Sequence, residues 1–394
     1  VEQGLAMKIL YLFADQQNEW NASEWRCAIP HRAFNKSSRH EAKMLDIGSW
    51  IVGTPEAKEK SWWADVIVVQ RLFMGQAMIA MEFWKARDKV IIGDVDDAYD
   101  LMPRHVPTYR FWQEGLSRVT INGREMLKKM EFTPVEQQIW GAKLCHAVAT
   151  PSKVLTEDWS RYIGDRAIYV PNYADLNHYL LRHRPIPNPN LITVGWGGSL
   201  SHYDSFKNSG IVPAIIRLLN KKPNVVLCLA GGVSKISTLF IRDVNPDQIL
   251  VREWVPYEKW PAILADFQIG LIPLYGPYDQ RRSPIKALEY AVMGIPWIGS
   301  KSKVYDEFES LGTQVENTES AWYKALLEIV EDLPRFRTDV NKTVNLVSKW
   351  DINNNLENIV RSYMIDGTKR IVRASVGEKA LNGMYVSSEP QNSS

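Results

Sequence analysis

Cysteine is scarce: Cys27, Cys145 and Cys228 are the only three in 394 residues, far apart and set in apolar or helical contexts. They make neither a disulfide framework nor a zinc site, and they favour a reducing, cytoplasmic setting. No apolar run approaches the length of a membrane span, and no signal peptide is visible. Val1 to Ala6 reads as a tag remnant ahead of a native start at Met7. An excess of one charge is missing as well: 47 Lys and Arg against 45 Asp and Glu leave a net charge of +2. That balance gives no general case for nucleic acid as a partner, although it leaves a local basic groove open. Also absent are a P-loop, a GxSxG nucleophile elbow and an HExxH metal motif.

What is there is ordinary globular material, 45% hydrophobic and 23% charged, with enough length for two domains. The 15 Trp and 16 Tyr supply large rings for core and interdomain packing, and such rings also suit stacking on sugars or bases. Apolar segments near 8–13, 65–70, 89–93, 146–150 and 168–170 alternate with helical ones. After a Pro-rich stretch, RPIPNPN, that reads as a linker, the alternation restarts at 191–194, 225–229, 249–251 and 268–272. The pattern predicts parallel sheets covered on both faces, in two similar α/β units in series. The segment 103–130 is read as helices lying over the cleft.

One stretch, FQIGLIPLYGPYDQRRSPIKALEYAVMGIPWIGS from Phe267 to Ser300, carries the densest signal. A buried strand and a loop lead to a helix with Ser283 as N-cap and Pro284 at its first position, stopped by Gly294. Arg281 and Arg282 precede the cap, and Lys286 takes the third helical position. Three cations at the positive pole of a helix cost stability unless an anion sits there, and the free N–H groups at that spot suit a phosphate. The alternative is that the arginines face solvent or pair with distant acids. Glu289, one turn on, is either a partner for Lys286 or an acceptor for a sugar's hydroxyl pair.

In parallel sheets ligands lie beyond the carboxyl ends of the strands. Two further loops fall there. In GWGGSLSH, Gly197 and Gly198 let backbone amides approach a ligand, and Ser199 and His202 supply donors; a tight turn accounts for the glycines equally well. In GDVDDAYD, the acids from Asp94 to Asp100 are either a helix cap or reaction-centre carboxylates. Asp94 and Asp96 are conceivable metal ligands, but the cluster lacks a specific ligand spacing.

The order of these segments from 191 to 300, with LAGG at 229–232 and EWVPYEKWPAIL after it, resembles the retaining, nucleotide-sugar-dependent glycosyltransferases of the group-one type (family 4). ADVIVVQR, GDVDDAYD, ATPSKVL and VPNYADL resemble the landmarks of that family's acceptor domain. The resemblance implies the GT-B fold, an α/β architecture of two Rossmann-like domains facing across a cleft. Residues 7–185 would bind the acceptor and 191–350 the nucleotide-sugar donor. A helix within 351–370 would return to the first domain, with 371–394 a disordered tail. By position, Glu289 matches the second acid of the family's Glu-x7-Glu pattern, which holds the donor ribose. The first acid falls on Arg281, a departure that fits a subgroup with the pattern Arg282, Ser283, Lys286, Glu289, Tyr290. Trp196 and His202 stand near the usual Arg/Lys phosphate pair. Arg282 and Lys286 are therefore expected to neutralise the diphosphate, at a helix start that includes Pro284 and Ile285. Asp96, followed by Asp97, falls where many relatives place a histidine facing the reaction centre. Trp254 and Val255 resemble the backbone that cradles the base.

The expectation is a cytoplasmic retaining glycosyltransferase that moves a sugar to a hydroxyl of a glycan, lipid or small molecule. It would need no cofactor and no obligatory metal. Three alternatives stay open: glycosylation of nucleic-acid bases, a sugar-nucleotide epimerase, and a non-catalytic binder.

Overall fold

The computed structural model describes residues 6–16, 22–121, 123–180, 190–342 and 344–364. The expected tail and most of the expected linker lie outside the described residues. Apolar runs become strands where both faces are covered, so VIVVQ and VIIGD are buried at every position. The first domain holds β1 (Lys8–Phe13), helix α1 (Ile29–Lys36), β2 (Glu41–Asp46), β3 (Val66–Gln70) and β4 (Val90–Asp94). After these come β5 (Leu116–Ile121), β6 (Arg124–Lys129), β7 (Ala147–Thr150), helix α2 (Lys153–Ile163) and β8 (Ala167–Tyr169). Six of the strands make one parallel sheet in the order β2-β1-β3-β4-β7-β8.

The second domain repeats the plan with β9 (Ile192–Gly198), β10 (Val225–Gly231), β11 (Ile249–Arg252) and β12 (Ile269–Ile272), then helix α3 (Ile285–Val292), β13 (Trp297–Ser300) and β14 (Thr313–Val315). Its parallel order is β11-β10-β9-β12-β13-β14. In each sheet the first strand lies inside, flanked by strands that follow it on both sides. That places a topological switch point at the carboxyl ends of β1 and β9, where such sheets bind ligands. The two Rossmann-like domains have the GT-B arrangement. A final helix, α4 (Leu356–Tyr363), returns to the first domain: its Glu357 accepts from Arg39 at 2.9 Å and contacts His40 at 3.0 Å. Just upstream, Ala174 and Asp351 form an isolated bridge. Among the described residues no helix is long and apolar enough to cross a membrane.

Two local expectations are corrected. Segment 103–130 holds only one short helix, Tyr109–Trp112, followed by the antiparallel hairpin β5–β6. The sequence Asn122-Gly123 is a strong two-residue hairpin signal, and Gly123 has φ +75. The second correction concerns α3. Its N-cap is Pro284, with no side-chain cap, so the helix begins one residue late and Lys286 is its second residue. Ser283 lies one residue before the cap, and its hydroxyl accepts a hydrogen bond from Asn172 Nδ2 at 2.7 Å, across the domain boundary.

Candidate active site

The acidic loop leaves the carboxyl end of β4 and is held by two arginines, Arg26 on the helical turn Glu24–Ala28 and Arg71 just past the end of β3. Asp94 takes a bidentate contact from the buried Arg26, with Nη2 at 2.6 Å and Nε at 3.0 Å. The same guanidinium donates to the Val170 carbonyl and to Asn172 Oδ1. Burial pushes the Asp94 carboxyl up even though Arg26 pulls it down. Asp96 is gripped by Arg71, Nη2 to Oδ2 at 2.7 Å, and accepts from the Tyr99 hydroxyl at 2.7 Å. Burial alone would raise its pKa, but the Arg71 charge and these hydrogen bonds outweigh it and hold Asp96 below the usual carboxylate range. Arg71 follows the end of β3 with φ +59, left-handed backbone that a residue other than glycine rarely adopts. The strain aims its side chain at both Asp96 and Asp15, the latter at 2.6 Å. These contacts commit Asp94 and Asp96 to guanidinium partners rather than to a cation site, and among the described residues no His/Cys/Asp/Glu group is arranged to hold a metal ion.

Asp97 faces the other domain. Its Oδ2 accepts from the Tyr278 hydroxyl at 2.5 Å, and burial raises its pKa while Arg282 and Tyr278 oppose that rise. Tyr278 lies on the short helix Gly276–Asp279, under the guanidinium of Arg282 at 4.7 Å from the ring centroid. Arg282 Nε pairs with the buried Asp279 at 2.8 Å, and Asp279 also accepts from Ser205 and from the Tyr275 amide.

Lys286, by contrast, has no carboxylate in contact among the described residues. Its Nζ meets His202 Nε2 at 3.2 Å and lies 5.6 Å from the Trp196 ring centroid. Burial and the nearby Arg282 lower its pKa, with Glu289, Asp279 and Asp97 opposing. Glu289, also buried, accepts from Trp260 Nε1 at 2.8 Å and from the Tyr179 hydroxyl at 3.2 Å on one oxygen. Desolvation raises its pKa against the pull of Lys286 and these donors.

The structure thus gathers Arg282, Lys286, His202 and Glu289 around α3, with Asp97 joined to them through Tyr278. Asp96 stands beside Asp97 on the first-domain side. Arg281 goes elsewhere: its Nε pairs with Asp158 of α2 at 2.5 Å, and its carbonyl accepts from Ser152. It ties the domains together, and the count of cations at the helix start falls from three to two. Ile285 opens the helix. Ser199 is exposed, and its side chain contacts Ser201. Gly197 and Gly198 make room for indoles: a Cβ at Gly197 would lie 2.2 Å from Trp260, and one at Gly198 2.7 Å from Trp196. Trp254 is 49% exposed beyond the edge strand β11, and among the described residues no hydrogen bond or ring contact joins it or Val255 to the cluster. Sequence reasoning passed over Arg71, Tyr278, Asp279, Trp260 and Tyr179. Of these only YGPYD, in the loop before the RRSPIK turn, carried a usable signal, since polar rings beside a strand's carboxyl end suit a site.

No protein-family profile matches the chain, and no curated protein matches it in sequence. Solved structures do match in shape. Anabaena HepE, determined in complex with UDP and glucose, is 14% identical with a TM-score of 0.63, covering 90% of this chain and 100% of its own. A glycosyltransferase from Rickettsia africae is 11% identical at TM-score 0.62, over 93% and 99% of the two chains. The UDP-GlcNAc 2-epimerase of Neisseria meningitidis, bound to UDP-GlcNAc, is 11% identical at 0.53, over 90% and 99%. At these identities the likeness shows the fold.

Proposed function

We propose that this chain is a nucleotide-sugar-dependent glycosyltransferase of the family 4-like, retaining type, acting in the cytoplasm. The observation that carries the reading is Lys286: a half-buried ammonium at the positive end of α3, beside Arg282, whose polar partner among the described residues is an imidazole rather than a carboxylate. Such a group lacks a counter-ion, and a donor diphosphate supplies one. The GT-B fold, shared with proteins solved with UDP and UDP-sugars, supports it.

In this reading the nucleotide lies along the second domain. Glu289, held by Trp260 and Tyr179, accepts from the ribose hydroxyls. The bond from the anomeric carbon to the diphosphate oxygen breaks with its electron pair on the leaving group. Arg282, Lys286 and the N–H groups at the start of α3 stabilise that growing charge. The acceptor oxygen forms its bond to the anomeric carbon, and its proton passes to a diphosphate oxygen. Asp96, kept ionised by Arg71 and Tyr99, is a poor base, so its work is to orient the acceptor and to stabilise positive charge on the sugar. Because protein cations neutralise the diphosphate, no divalent metal is required. Tyr278 on Asp97 closes the two domains over the reaction and keeps water out.

Labelled UDP-, GDP- and ADP-sugars incubated without acceptor test the reading. Slow release of free sugar, unaffected by chelator and suppressed when an acceptor glycan, lipid or nucleic acid is glycosylated, is expected. A recovered sugar nucleotide with an inverted ring carbon would make the protein an epimerase instead, and binding without any turnover would make it a binding protein.

A further inference from the structure

His202 is 4% exposed, with its ring edge-on to Trp196. Its Nε2 meets Lys286 and its Nδ1 faces Ser205 Oγ at 3.5 Å. The Ser205 hydroxyl donates to Asp279. A hydroxyl whose proton is given to a carboxylate can only accept on its other side, so Nδ1 carries the imidazole proton. Nε2 then offers its lone pair to the ammonium, and the ring is neutral. The groups facing it are Lys286 on α3, Arg282 on the loop before it, and His105 of the first domain, itself 2.9 Å from Asp204. Burial and these neighbours hold the imidazole well below its usual value. Yet the route from Nδ1–H through Ser205 to Asp279 is the support an imidazolium needs. The ring is wired for a charge that its surroundings withhold while no anion is present.

We propose that His202 takes up a proton when a donor diphosphate binds, and that Nε2–H then joins Lys286 as a direct donor to a phosphate oxygen. The inference rests on the reading of α3 as the diphosphate site. The anion enters between Nζ and Nε2, Lys286 turns its proton from the ring to the phosphate, and one proton from solvent lands on Nε2. Because the complex binds more protons than the free protein, affinity rises as pH falls between the free and bound pKa of the ring, by up to about tenfold per pH unit.

Calorimetric titration of the full chain with UDP-glucose, GDP-glucose and ADP-glucose tests this, since their diester phosphates do not titrate near neutrality. Repeating each titration in buffers of different ionisation enthalpy counts the protons. Wild type is expected to take up close to about one proton and to bind more tightly at pH 6 than at pH 8. His202→Gln should bind more weakly, without proton uptake and with a flat pH profile. Ser205→Ala, which cuts the route to Asp279, should move the pH dependence to lower pH. Uptake that persists in His202→Gln would place the titration on Lys286 and overturn the proposal, as would a flat wild-type profile with intact binding. If none of the three donors binds at any pH, the diphosphate reading of α3 fails and the proposal falls with it.

Discussion

Lys286 and Glu289 stand one turn apart in a buried setting where each would rather lose its charge, the ammonium by giving up a proton and the carboxylate by gaining one. Lys286 touches no carboxylate among the described residues, so its partial desolvation is not offset by an ion pair. Lys286→Met is therefore expected to leave the ligand-free protein as stable as wild type or more stable, by about 1 kcal/mol, while nucleotide no longer raises its melting temperature. Melting curves with and without UDP measure both halves; a variant that melts lower yet still shifts fully with UDP would assign the lysine to the fold. Asp96 is the opposite case, an acid stabilised by a fixed arginine. Asp96→Asn is expected to lower turnover by about 100-fold or more, with donor affinity nearly kept. Unchanged kcat for donor hydrolysis would reduce the acidic loop to a strand-end anchor.

At the scale of elements, the late start of α3 leaves Ser283 outside the helix, where it is engaged by Asn172. Asn172 is in turn fixed by Arg26, which also holds β4 through Asp94 and the end of β8 through Val170. One guanidinium thus sets the spacing of the first domain's strand ends and of the start of α3. Arg26→Met should cost about 3–5 kcal/mol, since it leaves a carboxylate buried without its partner. The sign of the pH dependence follows from Asp94. Burial already raises its folded pKa, and removing Arg26 raises it further, so the folded mutant binds a proton that the unfolded chain releases. The deficit should shrink as pH falls from 8 to 5, and urea melts at the two ends of that range check it. A deficit independent of pH would place the loss in the Val170 and Asn172 contacts.

Across the whole molecule, the two domains are held together by polar ties placed around the cleft: Tyr278 to Asp97, Arg281 to Asp158, Tyr169 to Glu307 and His105 to Asp204. Each is small beside a core contact, and buried apolar side chains of both domains belong to one cluster alongside them. α4 and its Glu357 contacts form the separate anchor that keeps the domains attached when the cleft opens. Tyr278→Phe and Asp158→Ala combined should enlarge the radius of gyration seen by small-angle scattering in the absence of ligand. They should also raise donor hydrolysis relative to transfer, because water then reaches the anomeric carbon. A scattering profile identical to wild type would mean that packing at the interface, not these ties, keeps the molecule closed.

The fold class was open to reading from the chain alone because buried parallel strands are continuous apolar runs, and VIVVQ, VIIGD and IGLI announce themselves without reference to anything distant. β2, EAKMLD, did not, since an edge strand is covered on fewer sides and carries no such run. The RRSPIK turn, the acidic loop and GWGGSLSH were also legible, because strand ends and helix starts are local features. Their partners were not. Arg71 reaches Asp96 over 25 positions and Tyr278 reaches Asp97 over 181, and no local pattern records such pairings. Sequence by itself determined two α/β units and a cationic helix start. The tertiary structure decided how each of those cations is partnered: Arg281 was drawn off to Asp158, Arg282 was given Asp279, and Lys286 was left opposite an imidazole. Local backbone preference sets the elements, whereas the state of a buried charge depends on which distant groups the packing brings within a few ångströms.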